Sequence, residues 1–161
     1  MRRFKLDRID RQILRDLQDD GRMTNVELAA RAGISAPPCL RRVRALEEAG
    51  YIKGYHAEVD AEALGFTISE FVQVGLTSQN EADLLAFETL LREWPEVRQA
   101  HMLKGEVDFL LKVVFTNFEA GQRFHQRLRA APNVAHVKTS SIERVSKNEP
   151  GVVIDLIPVD A

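Results

Sequence analysis

Cysteine is nearly absent from this 161-residue chain: Cys39 stands alone. One thiol allows no internal disulfide, so a stapled secreted domain is excluded and a reducing compartment suits the chain. No stretch approaches the length of a membrane span, and the start lacks the apolar core of a signal peptide. Cytoplasmic residence without membrane attachment is the expectation. Strong charge of either sign is missing as well. The net charge is −2; residues 1–60 hold 12 Lys+Arg against 10 Asp+Glu, and residues 61–161 hold 10 against 14. Binding to nucleic acid would then rest on local clusters and on two copies acting together, because no global positive field attracts phosphate.

Catalytic constellations are also lacking. There is no glycine-rich phosphate loop and no nucleophile with a base in local context. His56, His101, His125 and His136 match no metal-ligand spacing. An enzyme on this chain is disfavoured, and neither a metal nor a cofactor is expected. What is present is apolar content. Hydrophobic residues make up 45% of the sequence, enough for real cores.

The first third reads as three short helices. Asp7 can cap a helix with Ile9, Ile13, Leu14 and Leu17 on one face. Thr24 and Glu27 form a capping box for a second helix, with Val26, Leu28 and Ala29 inward. Gly33 ends it by supplying a positive φ. Ser35 caps a third helix with Pro37 and Pro38 in its first turn, where proline is tolerated. Leu40, Val43 and Leu46 are its expected buried stripe. The four-residue connection Arg31–Ile34 suits a helix-turn-helix, whose second helix presents its N-terminal residues to the major groove. Ser35, Ala36, Pro37, Pro38, Arg41, Arg42 and Arg44 are the candidate DNA contacts. Arginine fits because its planar fork serves both phosphate and guanine. Residues 51–66 can form a wing or a short strand. The expected DNA-binding domain is 1–60.

From about residue 67 the period changes. Ile68, Val72, Val74 and Leu76 alternate as a strand. Asn80 caps a helix carrying Leu84, Phe87 and Leu91, and residues 97–103 alternate again. Phe109–Phe115 is apolar at six of seven positions, as in a strand buried on both faces. A helix with Phe118, Gly121, Phe124 and Leu128 and a strand over 134–145 complete the order βαββαβ. That order is ferredoxin-like and makes the chain α+β. Two helices cover one face of such a sheet, so the other face implies a second copy. The domain is expected over 67–147, with the apolar tail 148–161 as an added strand or a segment packed on a neighbour.

Several motifs in this order resemble the leucine-responsive regulatory protein/AsnC (feast/famine) family: LDRIDRQIL at 6–14, NVEL at 25–28, PCLRRVRALE at 38–47, GYIKGY at 50–55 and HMLKGEVDFLLK at 101–112. The resemblance spans residues 6–147. It implies a winged helix-turn-helix that binds double-stranded DNA, and a ferredoxin-like domain that dimerises and often assembles further, to octamers. It further implies an amino-acid effector bound between C-terminal domains. On this resemblance the effector site borders Gly105 and Asp108 and includes Met102, Leu103, Thr139, Ser140 and Ser141. These residues fit a small or mildly polar amino acid better than a bulky apolar one, and the effector's identity is open. The expected function is an effector-responsive transcription regulator. The alternative is an architectural DNA-binding protein with little ligand response. Cys39 occupies the family's cysteine position and is expected to be a packing residue.

Overall fold

Reciprocal capping fixes where the first two helices begin. In a computed structural model describing residues 5–149 and 151–157, helix α1 (Arg8–Asp19) opens on Asp7. The Asp10 amide donates to Asp7 Oδ1 at 2.9 Å and the Asp7 amide to Asp10 Oδ2 at 3.1 Å. Helix α2 (Asn25–Ala32) opens on Thr24, whose amide donates to Glu27 Oε2 at 2.8 Å while its hydroxyl accepts from the Glu27 amide at 3.3 Å. These pairs satisfy amides that a helix leaves orphaned at its start. The Thr24 hydroxyl and amide hold the Glu27 carboxyl below the usual range. Gly33 turns the chain at φ +70°, a left-handed conformation that favours glycine, and helix α3 (Ala36–Glu48) follows.

The buried face of α3 differs from the expected stripe. Cys39 and Leu46 are fully buried, Val43 packs beside them, and Leu40 is 39% exposed. A helix turns about 100° per residue, so a face centred on Cys39 swings Leu40 to its flank. In α2, Leu28, Ala29 and Ala32 fill the core, and Val26 points outward at 70% exposure. Ser35 precedes α3, but its side chain makes no cap hydrogen bond. The reason is chemical. An N-cap oxygen accepts from the second or third helical amide, and here those positions are Pro37 and Pro38, which have none.

Residues 52–60 run without strand pairing, so the expected strand there is absent among the described residues. Tyr55 is tied to α3 instead. The Tyr55 hydroxyl donates to Glu47 Oε1 at 2.9 Å, and burial together with this carboxylate pushes the phenol up to about 12.

The second half builds one antiparallel sheet from β1 (Ile68–Leu76), β2 (Val97–Met102), β3 (Phe109–Phe115) and β4 (Val134–Ser141), ordered β2-β3-β1-β4. Helices α4 (Glu81–Arg92) and α5 (Phe118–Arg129) are capped by Asn80 and Asn117. Their Phe87, Leu91, Phe124 and Leu128 share one core with Val72, Val74, Leu111 and Val113. Glu70 lies on the same sheet face and accepts from His125 Nε2 of α5 at 2.7 Å. Strand β3 is not buried on both faces within one chain. Phe109, Leu111, Val113 and Phe115 are buried, whereas Leu110, Lys112 and Val114 are half-buried on the face without helices. Phe71 of β1 lies on that open face at 41% exposure.

The described residues fall into two units: those up to Glu58 together with those from Lys147 onward, and Val59–Ser146. The tail therefore belongs with the helices. Expected as an added strand or as a segment packed on a neighbour, it forms no strand among the described residues but a 3-10 turn over Ile154–Leu156, and residues 158–161 lie outside the described part. Ile154 is buried in the same cluster as Ile13, Leu28 and Cys39. Gln18 of α1 clasps Val152 twice, Nε2 to the carbonyl and Oε1 from the amide, both at 2.9 Å. Arg15 pairs with Asp155, and Arg11 Nη1 donates to the Ile157 carbonyl at 3.1 Å. An apolar side chain at 7% exposure inside a small core is worth about 2–5 kcal/mol against alanine. Ile154→Ala is accordingly expected to cut the hydrogen-exchange protection of α1 amides and to leave the sheet amides unchanged. Undiminished α1 protection would show that the tail adds nothing to the helical unit.

Candidate nucleic-acid interface and ligand turn

Two buried carboxylates fix how the helices of the first unit are turned. Asp10 and Asp16 of α1 are 2% and 4% exposed. A buried carboxylate needs a cation or several donors. Asp10 receives the Arg42 guanidinium of α3, with Nη1 at 2.7 Å from Oδ1 and at 2.8 Å from Asp7 Oδ2. Asp16 is held by Gln12 Nε2 at 3.1 Å and by Arg31 Nη1 of α2 at 3.4 Å. Burial alone would raise the Asp7 carboxyl, but the Asp10 amide and the Arg42 guanidinium outweigh it and hold the group below 3.8. Arg42 is itself raised, mainly by its bond to Asp10. Burial pushes the Cys39 thiol up, which suits a packing residue better than a reactive one.

The expected contact residues therefore separate. Arg42 does not face outward; it lies about 60° round the helix from Cys39, inside the buried half, and its charge is engaged. Arg41 and Arg44 are exposed, and no ion-pair partner is found for them among the described residues. Pro37 and Ser35 are exposed beside them, whereas Ala36 and Pro38 are half-buried. The two prolines remove two of the first-turn amides that usually receive phosphate at a helix start. The donors left at this end are the Ser35 hydroxyl, the Ala36 amide and the exposed Arg41 and Arg44.

In the second unit the candidate ligand residues occupy two places. Met102 ends β2 and is exposed, Leu103 and Gly105 are exposed on the β2–β3 connection that follows, and a side chain at Gly105 would meet nothing within 4 Å. Asp108 closes the connection: its Oδ2 accepts the Leu76 amide at 2.6 Å and its amide donates to the Val74 carbonyl at 3.0 Å. One carboxylate oxygen thus braces the end of β1. Thr139, Ser140 and Ser141 are exposed on the edge strand β4, paired with Val72, Phe71 and Glu70. At about 3.3 Å per residue they lie more than 10 Å along β1 from the Leu76 end. One chain does not bring the two groups together.

A residue beside the turn escaped the sequence. Gly75 is paired with His136, and the imidazole covers it so closely that any Cβ there would overlap the ring. Asp108 and His136 therefore flank the end of β1 from opposite sides. The signal in the sequence was a lone glycine inside a strand, which marks close approach by a neighbour. Among the described residues no group of three or more His, Cys, Asp or Glu could hold a metal, and no helix is long and apolar enough to cross a membrane.

Comparison with known proteins agrees with both units. The profile of winged helix-turn-helix DNA-binding domains matches residues 6–53, and that of the Lrp/AsnC ligand binding domain matches residues 69–152. A leucine-responsive regulatory protein of Rhizobium meliloti is 56% identical over 138 residues, covering 85% of this chain and 88% of its own. The Bkd operon transcriptional regulator of Pseudomonas aeruginosa is 42% identical over 137 residues, covering 84% and 90%. The crystal structure of a Neisseria meningitidis transcriptional regulator in complex with L-Met superposes with a TM-score of 0.88 at 34% identity, covering 93% and 97%.

The carboxylate clamp yields a stability test. Arg42→Ala leaves Asp10 buried without its cation and is expected to destabilise the helical unit by about 3 kcal/mol in denaturant titrations. Arg41→Ala is expected to stay within about 0.5 kcal/mol of the parent. The clamp also sets a pH response. Because the Asp7 carboxyl is lowered by folding, its contribution is complete above its ordinary 3.8 and fades as pH falls through the lower folded value. Asp7→Asn should therefore lose stability at neutral pH and converge on the parent in that acid range. Equal penalties for Arg41→Ala and Arg42→Ala would refute this assignment.

Proposed function

The chain belongs to the Lrp/AsnC family of transcription regulators, and from that premise we propose how its own residues read DNA and receive an effector. The single observation that carries the proposal is the orientation of α3. With Cys39 and Leu46 buried and Arg42 clamped, the outward face presents Ser35, Pro37, Arg41 and Arg44. This face enters the major groove of double-stranded DNA. Arg41 and Arg44 supply the hydrogen bonds to guanine or phosphate, and the Ser35 hydroxyl takes a phosphate. Ala36 and Pro38 shape the start of the helix, and Arg42 acts as a positioning residue that keeps the face turned outward.

A homodimer, or a larger assembly built from it, presents two such helices. Support comes from the open sheet face, where Phe71, Leu110 and Val114 are left partly exposed in a single chain. Two copies also allow the exposed groups of the second unit to complement each other. The turn with Met102, Leu103, Gly105 and Asp108 from one copy meets Thr139, Ser140 and Ser141 of another. An α-amino acid needs an acceptor for its ammonium and donors for its carboxylate. The Asp108 oxygen that does not bind Leu76 is the acceptor, and the Gly105 backbone and the hydroxyls are donors. The Neisseria relative was solved with L-Met. The present turn carries Met102 and Leu103 as apolar contacts, so an amino acid of modest size is the effector class. Binding changes operator affinity to the extent that it favours one arrangement of the assembly, typically about 1–3 kcal/mol.

The test uses the full chain and a duplex selected from a random pool. Half-sites should lie about one helical turn, roughly 10 bp, apart or at a multiple of it. Arg41→Ala and Arg44→Ala should each weaken binding by about 1–3 kcal/mol where they read a base, and reduce the salt slope where they touch phosphate. Asp108→Asn keeps an acceptor for the Leu76 amide but removes the charge. It should retain DNA affinity and lose the response to the amino acid found by a thermal-shift screen. Unchanged affinity in both arginine variants would reject the reading face. An unchanged ligand response in Asp108→Asn would move the effector site elsewhere.

A further inference from the structure

The outward face of α3 is not wholly polar. Leu40 lies on it at 39% exposure, one turn from Pro37 on one side and from Arg44 on the other, with Arg41 adjacent. The core has no use for Leu40, because Cys39, Val43 and Leu46 already face inward. The first turn of α2 adds to the same end. Asn25 Nδ2 donates to the Ala36 carbonyl at 2.8 Å, which holds the two helix starts together, and the next residue, Val26, is 70% exposed. The N-terminal end of the reading face thus carries aliphatic carbon beside two arginines.

That combination fits a polar, anionic groove containing an isolated apolar group. The major groove has one methyl, the 5-methyl of thymine; at the same position cytosine offers only a C–H, and the remaining groups that mark the base pairs are donors and acceptors. An arginine-rich face positions itself on phosphate, while a leucine between the arginines has no hydrogen bond to give and discriminates only through that methyl. We propose that Leu40 is a specificity-determining residue that packs on a thymine 5-methyl in each half-site. This rests on the reading of α3 as the groove-entering helix.

The experiment replaces thymine by deoxyuracil, one position at a time, in the duplex selected by the full-length protein, with affinity read by fluorescence anisotropy. Deoxyuracil keeps every hydrogen bond and removes only the methyl. At one thymine per half-site the wild-type protein should lose about fourfold in affinity, the value of one buried methyl. Leu40→Ala should bind the thymine and deoxyuracil duplexes equally. Leu40→Met, still apolar and long, should keep the preference. Leu40 is exposed, so thermal melting should show both variants folded. If the wild-type protein is indifferent to every replacement, or if Leu40→Ala keeps the full thymine preference, the proposal is overturned and the exposed patch belongs to a protein partner. In either case a loss of binding in Arg41→Ala would still uphold the groove-entering helix. If both arginine variants bind as the parent does, that reading and this proposal fall together.

Discussion

The Arg42 guanidinium, shared between Asp7 and Asp10, is the contact on which the DNA-binding unit depends. Asp10 is buried, and a buried carboxylate without a cation costs several kcal/mol. Only one rotation of α3 brings Arg42 to it. That rotation puts Cys39 in the core, carries Leu40 to the flank and leaves Arg41 and Arg44 facing outward. The clamp also explains why neighbouring arginines have different duties. Arg42 is a structural cation, whereas Arg41 and Arg44 are exposed and are the arginines proposed to meet DNA. The prolines reinforce the division. By removing amides from the first turn they leave side chains as the main donors there, so in the proposed reading substitutions at Ser35, Arg41 and Arg44 change binding more than in a helix start rich in amides.

The second unit obeys a different constraint. A four-stranded sheet with two helices has one covered face, and the alternating burial of β3 shows where the covering stops. Leu110, Val114 and Phe71 remain partly open. The candidate ligand residues are likewise incomplete within one chain, because Asp108 and Ser140 serve different ends of β1. Both facts favour a function exercised between copies. A ligand that sits between copies can bias their arrangement, and linkage then transmits that bias to paired reading helices.

Much of this was legible in the sequence because it is local. Caps at Asp7, Thr24 and Asn80, the glycine turn at Gly33 and the alternation of β1 each follow from a few neighbouring residues. The errors were tertiary. A stripe through Leu40, Val43 and Leu46 and one through Cys39, Val43 and Leu46 differ by one residue, and hydrophobicity alone favours leucine over cysteine. The buried Asp10 on a different helix decides between them, and no local pattern reveals it. Ser35 failed as a side-chain cap for a reason the sequence did contain, the two prolines that follow it. The tail was legible as apolar but not as to its destination, since Ile154 joins residues more than a hundred positions away. Asp108 was legible as a turn residue, whereas its bond to Leu76 and the imidazole over Gly75 depend on strand register.

In the proposed reading Arg42 holds α3 so that Arg41 and Arg44 reach DNA. Heteronuclear NMR of the arginine guanidinium groups tests it most directly, in the free protein and on addition of the selected duplex. Arg42 should already be rotationally restrained without DNA and should keep its shifts when DNA is added. The Arg41 and Arg44 signals should move and become restrained. A guanidinium of Arg42 that is free in solution and shifts on binding, with Arg41 and Arg44 unchanged, would contradict it.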